Sequence, residues 1–91
     1  MSIKYRADPV DIGAPYFEAL DRSDSSVVNE AWFDGSNQYL VINLQGTAYH
    51  YCGLPNSIWN ALKAAESMGS YFQDQIKGNF DCRVLPVPEY P

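Results

Sequence analysis

The sequence is short of several things, and each shortage excludes a class of function. It has one histidine, His50, and two cysteines, Cys52 and Cys82, with no CxxC pair. Structural zinc takes four ligands at closer spacings, so this set does not describe a zinc site. Cations are few: six Lys and Arg stand against eleven Asp and Glu, for a net charge of −5. Attraction to nucleic acid grows with the number of phosphates neutralised, so the whole-chain charge gives that role no general support. Lys4, Arg6 and Arg22 lie in the N-terminal quarter, and Lys63, Lys77 and Arg83 in the rest. No apolar run approaches the ~20 residues of a membrane-spanning helix. The N-terminus lacks the basic and apolar regions of a signal peptide. A cytoplasmic setting with no membrane partner is the expectation. No GxSxG, metal-ligand cluster or phosphate-cradling glycine loop is present, so the chain is expected to be no enzyme and to need no cofactor.

What is present is a core. Hydrophobic residues make up 46% of the 91 positions and aromatic residues 14%. Large rings bury roughly 150–250 Å² each, enough to fold one domain of this size. The two cysteines read as buried thiols, with a disulfide as the alternative if their segments pair in space.

Residues 1–25 form an N-terminal arm broken by Asp8-Pro9 and by Gly13-Ala14-Pro15. Met1–Arg6 is amphiphilic, suiting a short strand or an arm. Pro15–Leu20 reads as a short helix docking Tyr16, Phe17 and Leu20 along one side. Asp21–Ser26 reads as a polar loop. Three strands are expected next, over Ser26–Phe33, Gln38–Leu44 and Thr47–Cys52. Asp34-Gly35-Ser36-Asn37 makes the first turn, with Gly35 supplying a positive φ, and Gln45-Gly46 the second. Along Gln38–Leu44 the period of two puts Leu40, Ile42 and Leu44 on one face and Tyr39 and Val41 on the other. That strand is expected to be covered on both sides. Ser57–Glu66 carries Ile58, Trp59, Leu62 and Ala65 at helical intervals, with Asn56 or Ser57 as cap. Ser70 caps a second helix, Tyr71–Lys77, ended by Gly78. The domain is expected over 26–85 and a Pro-rich tail over 86–91. The fold class expected is α+β: a three-stranded antiparallel meander followed by two short helices packed on one face (βββαα), with an N-terminal arm.

The order and spacing of several elements resemble the KTSC domain, a short module named for the C-terminus of some lysyl-tRNA synthetases and also found as solitary small proteins. The elements are Ser25-Ser26, Trp32-Phe33-Asp34, Tyr49-His50-Tyr51 in place of the family's YxY, and Leu54-Pro55. They continue with Trp59, Leu62 and Ala65, then Ser67-Met68-Gly69-Ser70-Tyr71-Phe72, and Ile76-Lys77-Gly78-Asn79-Phe80 through Arg83. The resemblance covers about two-thirds of the chain, Ser25–Leu85. It implies RNA binding, a suggestion that comes from the synthetase context. Where members tend to carry further Lys or Arg near the end of the domain, this chain has Asn79, Asp81 and Cys82.

The candidate ligand-binding residues are Tyr49, His50, Tyr51, Ser70, Tyr71, Lys77 and Arg83. Tyr49 and Tyr51 point to one face of a strand and His50 to the other. The two rings suit either a base-stacking platform or packing under the helices. His50, with no nucleophile beside it, suits a ligand contact or a surface position more than a catalyst. The backbone amides at Ser70 and Tyr71, with Lys77 and Arg83, suit a phosphate or simple helix capping. The expected partner is RNA or an RNA-carrying protein. The alternative is a protein contacted through the acidic arm (Asp8, Asp11, Glu18, Asp21 and Asp24) or through exposed Trp32, Tyr39 or Tyr90, making the chain an adaptor or a small inhibitor of a nucleic-acid-handling protein.

Overall fold

A computed structural model describes residues 1–21, 28–85 and 87–90. The loop expected over Asp21–Ser26 lies, from Arg22 onward, outside the described residues, as do Pro86 and Pro91. One antiparallel sheet holds four strands in sequence order: β1 (Glu18–Asp21), β2 (Val28–Asp34), β3 (Tyr39–Leu44) and β4 (Thr47–Tyr51). The meander therefore has four strands, where three were expected. Glu18–Asp21 pairs with Phe33–Glu30 of β2 as a strand, so the helix expected over Pro15–Leu20 does not form. Pairing with a ready edge outweighs the weak helical preference of so short a segment.

Alternation sorts the side chains onto two faces. Leu40 and Ile42 of β3, with Ala31 and Phe33 of β2, face a core shared with Leu54, Trp59, Leu62, Met68, Phe72 and Ile76. Tyr39 and Val41 of β3, Trp32 of β2 and Ala48 of β4 face a second core with Ile3, Val10 and Phe17. The register shifts between Val28 and Glu30, which keeps Val28 on the helix-covered face with Ala31. The central strand is covered on both sides, as its sequence suggested. What covers the second face is the arm, through Ile3, Val10 and Phe17, joined by Val87 and Tyr90 of the tail. Phe17 and Leu20 pack on opposite faces, and Tyr16 stays more exposed while stacking on Tyr90. Trp32 and Tyr39 are buried and Tyr90 is half-buried, correcting the expectation that these rings are exposed.

The hairpin β3–β4 turns through Gln45 (φ 52°) and Gly46 (φ 92°), the two positive values of a tight two-residue link. At the other turn the positive φ belongs to Gln38 (52°) and not to Gly35. Asp34 organises that turn: its Oδ1 accepts from the Ser36 amide at 3.1 Å and its Oδ2 from Asn37 Nδ2 at 2.7 Å.

Helix α1 spans Asn56–Ala64 and buries Trp59 and Leu62. Pro55 occupies the cap position without a side-chain bond, so neither Asn56 nor Ser57 caps it. Helix α2 is the single turn Met68–Tyr71, continued by π-type bonding over Phe72–Ile76 and closed by Lys77 N–H donating to the Phe72 carbonyl at 2.8 Å. Its cap is Ser67, whose Oγ accepts from the Ser70 amide at 3.2 Å; Ser70 stands inside the helix and not at its cap. Gly78, at φ 83°, follows the last helical residues as expected. Cys52 and Cys82 form a disulfide with Cα atoms 4.9 Å apart, which corrects the expectation of two free thiols.

Candidate functional site

In an antiparallel sheet of this order β4 is an edge strand. Its outer edge is partly occupied by the chain itself. The Lys4 amide donates to the Ala48 carbonyl at 2.8 Å, and the Cys52 amide donates to the Phe80 carbonyl at 2.9 Å. Between these two attachments lies a surface pocket of about 390 Å³. Strand β4 gives it Tyr49, His50 and Tyr51, and the arm gives Tyr5. The chain returning after the helices gives Asn79, Asp81, Cys82 and Arg83. The Cys52–Cys82 bond fastens that returning segment to the end of β4.

The tyrosines differ in their surroundings. Tyr51 packs its ring edge-on against Phe72, with centroids 5.7 Å apart, and burial pushes its hydroxyl pKa up, helped by Tyr49. Tyr49 is half-buried, while Tyr5 is 79% exposed at the rim. The Lys4 ammonium lies 5.4 Å from the Tyr5 ring centroid and 5.5 Å from that of Tyr49. A cation at this range is held by the ring faces without being neutralised.

His50 is fixed from behind. Arg6 Nη1 donates to the Tyr39 hydroxyl at 3.3 Å, and that hydroxyl lies 2.9 Å from His50 Nδ1. The Tyr39 hydroxyl can give its proton to Nδ1 while its oxygen accepts from Arg6, the arrangement in which a neutral His50 carries its ring proton on Nε2. Burial and then the Arg6 charge hold the His50 pKa below the ordinary imidazole value, against a smaller opposing pull from Asp81. At neutral pH the ring is thereby kept in its neutral form. Asp81 has both carboxylate oxygens on Arg83: Nε lies 3.1 Å from Oδ1 and 3.0 Å from Oδ2, and Nη2 lies 2.8 Å from Oδ2. Those bonds hold the Asp81 carboxyl below its usual range. The Cys82 sulfur is in the disulfide, so the cysteine that lines the pocket is not a free thiol.

Four of the seven residues singled out by sequence, Tyr49, His50, Tyr51 and Arg83, meet at this pocket. The other three do not line it. Ser70 is exposed and bonded to Ser67, Tyr71 packs against the helix-side core, and Lys77 is exposed next to the lining Gly78. Sequence reasoning missed Tyr5, Lys4, Asn79 and Asp81 as parts of the site. The alternation Asn79, Asp81, Arg83 was the one local signal for the returning segment. Nothing near Tyr5 in sequence points to Tyr49.

Fold and site together define a small α+β module whose two-sided sheet presents a pocket at one edge. The KTSC domain family model matches residues 24–80, and the chain belongs to that family. Among solved structures it is similar to the KTSC domain protein YPO2434 from Yersinia pestis. Identity is 29% and the TM-score 0.66, over 71% of this chain and 92% of that one. No curated protein matches the chain. No helix among the described residues is long and apolar enough to cross a membrane.

Proposed function

We propose that this chain is a non-catalytic binding module and that its ligand is RNA, taken up at the pocket on the edge of β4. The observation that carries the reading is a local gathering of cations and rings in a chain of net charge −5. Lys4 lies over Tyr5 and Tyr49, Arg83 lines the pocket, and Lys77 adjoins Gly78 on its wall. Rings to stack on, with cations beside them for phosphates, are the two parts of a single-stranded nucleic-acid site. Burial and then the Arg6 charge keep His50 neutral, and Asp81 is paired with Arg83, which suits ligand contact better than proton transfer. A cytoplasmic location goes with this reading. There the Cys52–Cys82 bond would be open to exchange with cellular thiols.

The competing adaptor reading drew on the acidic arm, where Asp8, Asp11 and Glu18 are exposed, and on Trp32, Tyr39 or Tyr90 as exposed rings. Two of those rings are buried and the third is bonded to Asp34. Fluorescence anisotropy of labelled mixed tRNA and of short single-stranded RNA tests the RNA reading. Binding at low salt that weakens as salt rises, and weakens further in Lys4→Ala, Lys77→Ala and Arg83→Ala, is the expected result. Absence of binding at low salt would end it. A protein partner retained in a pull-down after nuclease treatment would support the adaptor instead.

A further inference from the structure

We propose that the pocket receives one unstacked nucleobase, and that the backbone N–H and C=O of His50 read its hydrogen-bonding edge; the proposal rests on the RNA reading above. The geometry comes from the hairpin. A two-residue link makes Leu44↔Thr47 the closing, hydrogen-bonded pair. Pairs alternate from there, so Ile42↔Tyr49 and Leu40↔Tyr51 exchange bonds across the ladder, while Asn43↔Ala48 and Val41↔His50 do not.

The chain confirms the alternation at both ends of this edge. The Ala48 carbonyl accepts from Lys4, and the Cys52 amide donates to Phe80, both on the side away from β3. Residues two apart in a strand direct their backbone groups the same way, so the His50 amide and carbonyl also face outward, beside the pocket that His50 lines. The interval from Ala48 to Cys52 is only ~13 Å of strand at about 3.3 Å per residue. Both its ends are covered. An added peptide strand needs several consecutive free residues along the edge, and here a single residue is open.

A one-residue opening with an adjacent donor and acceptor fits a flat group that carries an adjacent acceptor and donor of its own. Nucleobases have this pattern on their Watson–Crick edges, and unstacked bases of single-stranded RNA present it. Tyr49 and Tyr51 flank the opening on one face of the strand and the His50 ring on the other. Lys4 stands beside Tyr49 where a flanking phosphate would pass, and Arg83, paired with Asp81, lines the same pocket. The volume, about 390 Å³, sits at the small end of ligand pockets and suits one base and its ribose.

The test uses the full chain, labelled with 15N, and two probes of equal length: a short oligouridylate and an abasic ribose-phosphate oligomer. Oligouridylate is expected to bind at least about fivefold more tightly, the lower end of one stacked base. The His50 amide proton is expected to move downfield on titration. Proline is tolerated in an edge strand where its missing N–H would face outward. His50→Pro is therefore expected to fold and to bind at least about twofold more weakly than His50→Ala, which keeps the backbone donor but lacks the ring. Equal affinity for the abasic oligomer would overturn the base reading while leaving RNA binding intact. No binding of either probe would overturn both. Should His50→Pro fail to fold, an unmoved His50 amide in the native chain during saturable oligouridylate binding would overturn the proposal by itself.

Discussion

The Tyr90 hydroxyl donates a 2.7 Å hydrogen bond to Oδ2 of Asp34, across 56 positions of sequence. Asp34 is only 2% exposed, and its carboxylate is satisfied by Tyr90, Asn37 and the Ser36 amide. Tyr90 stacks flat on Tyr16, with centroids 4.9 Å apart, and the Arg6 guanidinium lies 5.6 Å from the Tyr90 ring centroid. Arm, tail and the β2–β3 turn are thereby fastened at one point. Burial and the neighbouring carboxylate push the Tyr90 pKa up, so the hydroxyl keeps its proton and remains a donor.

Tyr90→Phe should therefore cost about 1.5–3 kcal/mol of unfolding free energy, the range for losing a hydrogen bond to a charged group. Asp34→Ala should cost about 2–3 kcal/mol, because it leaves several donors without their acceptor. The double variant should cost less than the sum, and urea denaturation of the four proteins measures the coupling. Strict additivity would mean that the bond contributes nothing to stability.

The Cys52–Cys82 bond closes a loop with a sequence separation of 30. On the chain-entropy account such a cross-link stabilises by about 3–4 kcal/mol. A reductant, or Cys82→Ser, should lower stability by that order. It should also raise amide exchange at Cys52, whose N–H is bonded to Phe80. Two titratable thiols in the non-reduced protein, or stability indifferent to reductant, would contradict the pairing.

Acidification should act through His50. Its folded pKa lies below the unfolded value of about 6.5, so the unfolded chain binds the proton more readily. The contribution of the neutral ring is complete well above the unfolded pKa. It declines as pH falls through that value toward the lower folded one. Between neutral pH and the start of carboxylate titration, the native chain should lose stability more steeply than His50→Gln. Thermal melts across that window measure the difference in slope, and parallel curves would show that His50 is not held neutral.

Local chemistry was enough for several features. Gln45-Gly46 fixed the β3–β4 hairpin because both turn positions need positive φ. The alternation of Tyr39 to Leu44 marked a strand covered on both faces. The intervals of Ile58, Trp59 and Leu62 marked α1. The motif order from Ser25 to Arg83 carried the family resemblance, and Tyr49, His50, Tyr51 and Arg83 came from the same stretch.

The tertiary structure decided everything that depends on distant segments meeting. Glu18–Asp21 is a strand because β2 offers it an edge, which a four-residue segment cannot announce in its own sequence. Ser67 rather than Ser70 caps α2 because the helix begins at Met68, three residues before Tyr71. The disulfide, the burial of Trp32 and Tyr39, and the seat of Tyr5 and Lys4 beside Tyr49 all rest on contacts between residues far apart in the chain. Periodicity records which way a side chain faces within its own element. What it faces is settled only when the arm and the returning segment close on the two sides and the edge of the sheet.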